Sequence, residues 1–218
     1  MILIQLNNHA AWLIQQERYA EAYYTLRRAM ELQEMSRHRA QEQEEPAVVL
    51  VRTTLSSVVP PVDETMFSSP LVISSVTSFP RKNINLDNVQ QQRYHYATAM
   101  YNMGLACHLY LQQHSLSAPL QRRFQRLVQA LYQQALDISR TLPLSILHLA
   151  ICNNLLELTM FAQEDWDGAS IWYDMFCRLL RHGHSTCTTM GMINEDMWAH
   201  FGKVQAYYSA NLYAASAA

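Results

Sequence analysis

Apolar residues recur along much of this chain in steps of three and four. From Tyr19 to Leu32 they fall at Tyr19, Ala22, Tyr23, Leu26, Ala29 and Met30. From Phe124 to Ile138 they fall at Phe124, Leu127, Val128, Leu131, Ala135 and Ile138. From Trp166 to Leu180 they fall at Trp166, Ala169, Tyr173, Phe176, Cys177 and Leu180. Such steps gather each set on one face of a helix. A further helix is expected ahead of each, over about 2–16, 88–113 and 143–163. Pro119 and Pro143 suit first-turn positions, where a missing N–H costs nothing. Asp165 suits an N-cap and Gly183 a C′ position. A last helix is expected after Asn194, with Asn194 as its cap, running into the Ala/Ser-rich end.

The stretch from about Glu45 to Asp87 breaks this pattern. It holds Pro46, Pro60, Pro61, Pro70 and Pro80, five of the seven prolines, and is rich in Val, Ser and Thr. Ala47–Val51 and Leu71–Ile73 read as short strands able to pair as a hairpin. An insert of this length inside a compact domain is unusual and points to function or flexibility. Ile2, Leu3 and Leu6 are apolar at the start of the first helix and need a cover, expected from Ala47–Ile73 or from a partner. The chain thus divides into a helical hairpin over 1–44, the insert over 45–87, hairpins over 88–140 and 141–182, and a loop with a capping helix over 183–218.

The hairpins repeat one another. Asn8 precedes Ala22 by fourteen residues and Asn154 precedes Ala169 by fifteen. Tyr19 and Trp166 stand three residues before those alanines, Leu26 and Tyr173 four after. Asn102 opens a similar unit that Tyr132, Ala135 and Leu136 close, with extra residues in its turn around His114–Leu120. A helix pair that cannot bury its apolar face alone stacks on a neighbour, which describes an α-solenoid.

At these residues the chain resembles the tetratricopeptide repeat (TPR) family. The family pattern has a large residue, Leu-Gly and an aromatic in its first helix, then a Tyr and a small-x-x-x-aromatic-x-x-Ala-Leu run in its second. Tyr101-Asn102-Met103-Gly104 is similar to the first half. Tyr19-Ala20-Glu21-Ala22, with Leu26, Ala29 and Met30, is similar to the second. Asn153-Asn154-Leu155, with Trp166 and Ala169, is similar again. The resemblance covers 1–33, 97–139 and 149–180. Gly104 is replaced by Ala10 and Leu156 in the other units, and no proline follows the first unit at Gln33–Glu34. The resemblance implies an all-α fold: an α-solenoid of about three TPR-like helical hairpins plus a C-terminal helix, with the Pro-rich insert. It also implies that Asn8, Asn102 and Asn154 hold equivalent first-helix positions on a concave face, where such an Asn binds the backbone of an extended peptide. Tyr101, Leu105, His108, Glu157 and Phe161 are expected on the same face.

Composition narrows the function. Sixteen Lys and Arg against eighteen Asp and Glu leave a net charge of −2 over 218 residues, which disfavours a surface built for phosphates. Arg122, Arg123 and Arg126, like Arg27, Arg28, Arg37 and Arg39, read as solvated faces, so no nucleic acid is expected. With five glycines, neither GxGxxG nor GxxxxGK[ST] can be written, and no cofactor is expected. No GxSxG occurs, and adjacent Cys107 and His108 point about 100° apart on a helix, too far round to act as a pair. Asp165 and Asp167 read as helix-start residues, and Asp63-Glu64 have no evident partner, so no enzyme activity is expected. No apolar run approaches the ~20 residues of a membrane helix. The start of the chain lacks a basic leader, and Cys107, Cys152, Cys177 and Cys187 are too few for a disulfide scaffold. An intracellular, cytoplasmic location is expected.

The aromatics Tyr19, Tyr132, Trp166 and Tyr173 read as core packing. Cys177, His182, His184 and Cys187 carry zinc-type ligands in a non-standard spacing. The leading expectation is a non-catalytic protein–protein interaction scaffold that holds a peptide or partner segment in its concave groove. Because Lys and Arg are absent from that face, the ligand is expected to be neutral or apolar, or mildly basic if Glu157 takes part. A metal-binding regulator using the Cys/His cluster and a self-assembling structural solenoid are the alternatives.

Overall fold

In the computed structural model of the chain, the described residues are 2–40, 52–57, 65–76, 88–142, 144–189 and 195–216. Among them the helical periodicity becomes seven α-helices. In chain order these are α1 (Ile2–Gln15), α2 (Tyr19–Ala40), α3 (Asn88–Gln113), α4 (Ala118–Ser139), α5 (Ile146–Glu157), α6 (Trp166–Thr189) and α7 (Glu195–Ser216). Two strands, β1 (Arg52–Ser57) and β2 (Leu71–Val76), lie between α2 and α3. The fold is all-α apart from this hairpin. Each helix packs on the next in the chain, and α3 also touches both α1 and α5.

Small residues set how closely the helices approach. Ala10, Ala22, Ala29, Ala135 and Ala169 are fully buried, beside Leu26, Tyr132 and Phe176. A Cβ on Gly104 would stand 2.8 Å from the ring of Tyr132, so the bare backbone of α3 is what lets that tyrosine seat against it. Gly183 has a similar role. It does not end α6, which continues to Thr189. A side chain there would collide with Leu144 and with Trp198 of α7.

The turns repeat too. Glu17 and Glu164 both take positive φ, 58° and 54°, two residues before the aromatic that opens the next helix. At Glu17 the N–H of Arg18 reaches Leu13 O at 2.9 Å and that of Glu17 reaches Ile14 O at 3.0 Å. This is the Schellman closure, made without its usual glycine. At the second turn α5 first widens into a π-helical turn, Leu158–Ala162. Thr159 Oγ1 donates to Leu155 O and Leu156 O, 2.8 and 3.1 Å, and so competes for the carbonyls of the helix ladder.

Several boundaries differ from the sequence expectation. α5 begins at Ile146, after Ser145, rather than at Pro143, which lies outside the described residues. His148 completes this helix start. Its Nδ1 accepts from the Ser145 N–H at 3.3 Å and its Nε2 donates to Ser139 O at 3.0 Å, so an imidazole takes the place of the usual Glu or Gln. Asp165 caps α6, its carboxylate accepting from the Gly168 N–H at 2.9 Å. Asn194 and the expected strand Ala47–Val51 lie outside the described residues. The strand that pairs with β2 is Arg52–Ser57, antiparallel, with Leu55 opposite Ile73 and Ser57 opposite Leu71. Of the aromatic set, Tyr19 and Tyr132 are buried, but Trp166, at the first position of α6, is 40% exposed rather than core.

Ala22→Leu and Ala169→Leu each add volume where no space remains. Each is expected to lower stability by roughly 1–3 kcal/mol, read from the midpoint of denaturant unfolding. An unchanged midpoint would contradict the tight crossings described.

Candidate functional site

An asparagine side chain ends in an NH₂ donor beside a carbonyl acceptor, matching the N–H and C=O that a residue of extended backbone presents, with one proton to spare. Three asparagines use that match. Asn8 on α1 holds Ile73: Nδ2 donates to its carbonyl and Oδ1 accepts from its N–H, both at 2.8 Å. Asn102 on α3 holds Leu71 in the same way, at 2.7 and 2.9 Å. Asn154 on α5 holds Phe67, at 3.1 and 3.0 Å. The chain from Phe67 to Ile73 therefore runs extended from α5 past α3 to α1. Six residues of extended chain span about 20 Å, which matches two helix-to-helix steps of about 8–10 Å.

The residue before each asparagine adds a donor. Asn7 Nδ2 reaches Leu71 O at 3.1 Å. The Tyr101 hydroxyl lies 3.2 Å from both Phe67 O and Ser69 O. Asn153 Nδ2 reaches Thr65 O at 2.9 Å. The bonded positions are all odd-numbered. By the two-residue period of a strand, the even residues of β2 offer their backbone to the opposite edge, where β1 pairs. Pro70, which has no N–H, falls at an even position and leaves no asparagine unanswered.

The segment is part of the interior. Met66, Phe67, Ser69, Leu71 and Ile73 are all buried. Phe67 stacks on Phe201 of α7, ring centroids 5.5 Å apart. Asn154 carries the contact further: its Nδ2 also donates to the Tyr132 hydroxyl at 3.1 Å, and that hydroxyl lies 3.4 Å from His108 Nδ1. With the hydroxyl as donor, Nδ1 is the acceptor and the imidazole is neutral. Burial favours that form, holding His108 down at about 4.

At the α5 end the segment meets a carboxylate. Glu157 Oε2 accepts from the Tyr208 hydroxyl at 2.9 Å and from Thr65 Oγ1 at 3.2 Å. Burial raises its pKa, and these two hydrogen bonds oppose the shift. Beside it lies a cavity of about 250 Å³ lined by His108, Gln112, Gln121, Gln125, Glu157 and Phe161 among others. A second cavity, about 570 Å³, lies on another face between α2, α3 and α4, lined by Tyr19, Tyr23, Tyr110, Phe124, Arg27 and Arg123 among others.

The sequence-derived candidates separate accordingly. Asn8, Tyr101, Asn102, Asn154 and Glu157 all bond to the insert. His108 and Phe161 line the smaller cavity; His108 is tied to Tyr132, while Phe161 lies 40% exposed against Tyr207 and Tyr208. Leu105 is fully buried core. Of the apolar residues at the chain start, Leu3 is buried, with β2 packed on α1, while Ile2 stays 53% exposed. Sequence reasoning passed over Asn7, Asn153, Phe201 and Tyr208. The doublets Asn7-Asn8 and Asn153-Asn154, in register with Tyr101-Asn102, were the available signal for the first two. The zinc-type set lies along α6. Cys177 is buried and accepts from Gln205 Nε2 at 3.3 Å, His182 is exposed, and the side chains of His184 and Cys187 lie outside the described residues. Among the described residues no group of three or more His, Cys, Asp or Glu is placed to hold a metal ion. No helix among them is long and apolar enough to cross a membrane. In comparisons with family models, curated proteins and solved structures, nothing matches this chain.

Two outcomes follow from this geometry. Asn102→Leu leaves the Leu71 N–H buried without an acceptor, at a cost of about 1–3 kcal/mol. Asn8→Leu costs less, because Asn8 is only half-buried and water can replace it; paired denaturation curves rank the two. The pH dependence of stability has an acid limb. A histidine whose folded pKa lies below its unfolded one stabilises above the unfolded value, and that contribution falls as pH drops. With His108 near 4 against 6.5, this group should lower stability below pH 6.5 by on the order of 1 kcal/mol per pH unit; His108→Gln removes that share, while His95, His148 and His200, also held down by burial, keep theirs. Glu157, shifted upward, tilts the balance the other way between its ordinary and its raised value.

Proposed function

We propose that the chain is a non-catalytic interaction scaffold: an α-solenoid of three TPR-like helical hairpins plus a capping helix, whose concave groove binds an extended segment of a partner protein through its backbone. The observation that carries this reading is the row of three asparagines, one on each first helix, each engaging both backbone groups of a single residue. Such pairs hold any sequence in the extended form. Pockets for alternate side chains, like the one Phe67 fills, then supply selectivity. The chain's own residues 65–73 now lie in the groove, so a partner segment exchanges with a built-in one. A tethered segment competes at an effective concentration on the order of millimolar, and exchange therefore depends on a better fit or on release of the insert.

The test uses the full chain and a fluorescent peptide covering residues 63–76. Phe67→Asp puts a charge against Phe201 and should expel the built-in segment. That variant is expected to bind the peptide at least about tenfold more tightly than the wild-type chain, by the millimolar competitor it removes. Adding Asn102→Leu and Asn154→Leu should abolish binding while far-UV circular dichroism stays helical. A peptide that binds none of these chains, or all of them equally, overturns the groove reading.

A further inference from the structure

Among the described residues Glu157 has no cation beside it. Among the described residues the ion pairs are Arg18–Glu21, Arg27–Glu31 and Arg28–Glu31, all on the exposed face of the first hairpin. Glu157 is instead bonded to two hydroxyls, from Tyr208 and Thr65. The built-in segment offers it no charge. Thr65 is neutral, and the two residues that precede it in sequence, Asp63 and Glu64, are acidic.

The surroundings of Thr65 are rich in acceptors. Asn153 Nδ2 holds the Thr65 carbonyl, while Oδ1 of the same fully buried amide has no hydrogen-bond partner. Gln112 and Gln125 line the cavity beside Glu157 and spend their amide nitrogens elsewhere, on Met66 Sδ at 3.4 Å and Ala162 O at 2.6 Å. Their amide oxygens remain. His108, in the same lining, is kept neutral by its burial and brings no competing charge. A space of about 250 Å³, lined by one carboxylate side chain and three glutamines, fits a planar cation with several donors. Guanidinium has five, and it is more weakly hydrated than ammonium.

We propose that the groove prefers, over its built-in segment, a partner segment carrying arginine at the position of Thr65, its guanidinium seated against Glu157 in this cavity. The rest of that segment follows the pattern the groove already holds: an aromatic two residues later, at the place of Phe67, and aliphatic residues at the places of Leu71 and Ile73. This rests on the groove reading above and adds the chemistry of the partner.

The experiment compares three fluorescent peptides over residues 63–76: the native sequence, Thr65→Arg, and Thr65→Gln as a neutral control of comparable reach. Each is titrated into the full chain carrying Phe67→Asp. A second arm uses the wild-type full chain with protease sites placed within 58–64 and within 77–87, so that cleavage at both frees the segment between them. Nicking leaves its groove residues unchanged, and exchange is read as displaced segment by mass spectrometry. If Phe67→Asp fails to fold, the nicked chain carries the test. The Thr65→Arg peptide is expected to bind at least about tenfold more tightly than the other two, the scale of one charge-assisted hydrogen bond. Glu157→Gln should erase that difference, while the native peptide loses no more than its one hydrogen bond from Thr65 Oγ1. Equal affinity for all three peptides, or a preference that survives Glu157→Gln, overturns the cation site and leaves the groove reading standing. Failure of every peptide in both arms overturns the groove reading and the cation site together.

Discussion

A single extended strand threaded among helices carries a row of N–H and C=O groups into a dry interior, and each of them needs a partner. The helices cannot lend their backbone, because it is consumed in their own ladders. Side chains must serve, and they must offer a donor and an acceptor at one point. Asparagine is the shortest side chain that offers them on two separate atoms, as a peptide unit does. That requirement organises the centre of this molecule. It places Asn8, Asn102 and Asn154 at matching positions on α1, α3 and α5, and it places β1 on the other edge of β2, where the remaining backbone groups emerge. The buried apolar side chains of the segment contribute area. The amides decide its register, because a shift by one residue would present the wrong backbone edge to all three at once.

The amides in turn constrain their surroundings. The second proton of Asn154 goes to Tyr132, whose hydroxyl can then serve His108. Tyr132 reaches that place only because Gly104 leaves its ring room against α3. Asn102 likewise donates to Asn7 Oδ1 at 2.9 Å, so neighbouring first helices are stitched through the groups that hold the strand. Polar networks in a core are costly unless every member is satisfied. Here the described members are paired except for Asn153 Oδ1, and that exception lies at the end where the segment meets Glu157.

Much of this was legible in the chain. Period-3.6 patterning located the helices because each buries one stripe, and the spacing from Asn8 to Ala22 and from Asn154 to Ala169 exposed the repeat because equivalent contacts need equivalent spacing. The αL turns at Glu17 and Glu164 were not legible, since neither has the glycine that usually marks such a turn. Gly183 misled for the same reason in reverse: it is small to admit Leu144 and Trp198, not to end a helix. Thr65–Ile73 gave the weakest signal. A strand held by side chains on one edge and by a strand on the other buries residues on both faces, so it shows no alternation. Leu71–Ile73 read as a strand, but Ser68, Ser69 and Pro70 extend no such pattern, and only the spacing of Asn8, Asn102 and Asn154 pointed to extended backbone being held along the helices.

The choice of amides over apolar side chains bears on what the groove is for. A strand meant to stay could be enclosed by a second sheet, with backbone satisfying backbone on both edges. Asparagines satisfy it equally well, yet they behave differently when the strand leaves. An emptied amide binds water and loses little, whereas an unzipped sheet edge becomes a template for aggregation. An amide-lined groove is therefore the form in which one occupant can be exchanged for another without exposing an adhesive edge on the receiving side. The released segment keeps its own protection: Pro70 interrupts it, β1 pairs its second half, and acidic residues precede Thr65. On the proposed reading the insert is a resident ligand, one that brings Glu157 only the hydroxyl of Thr65.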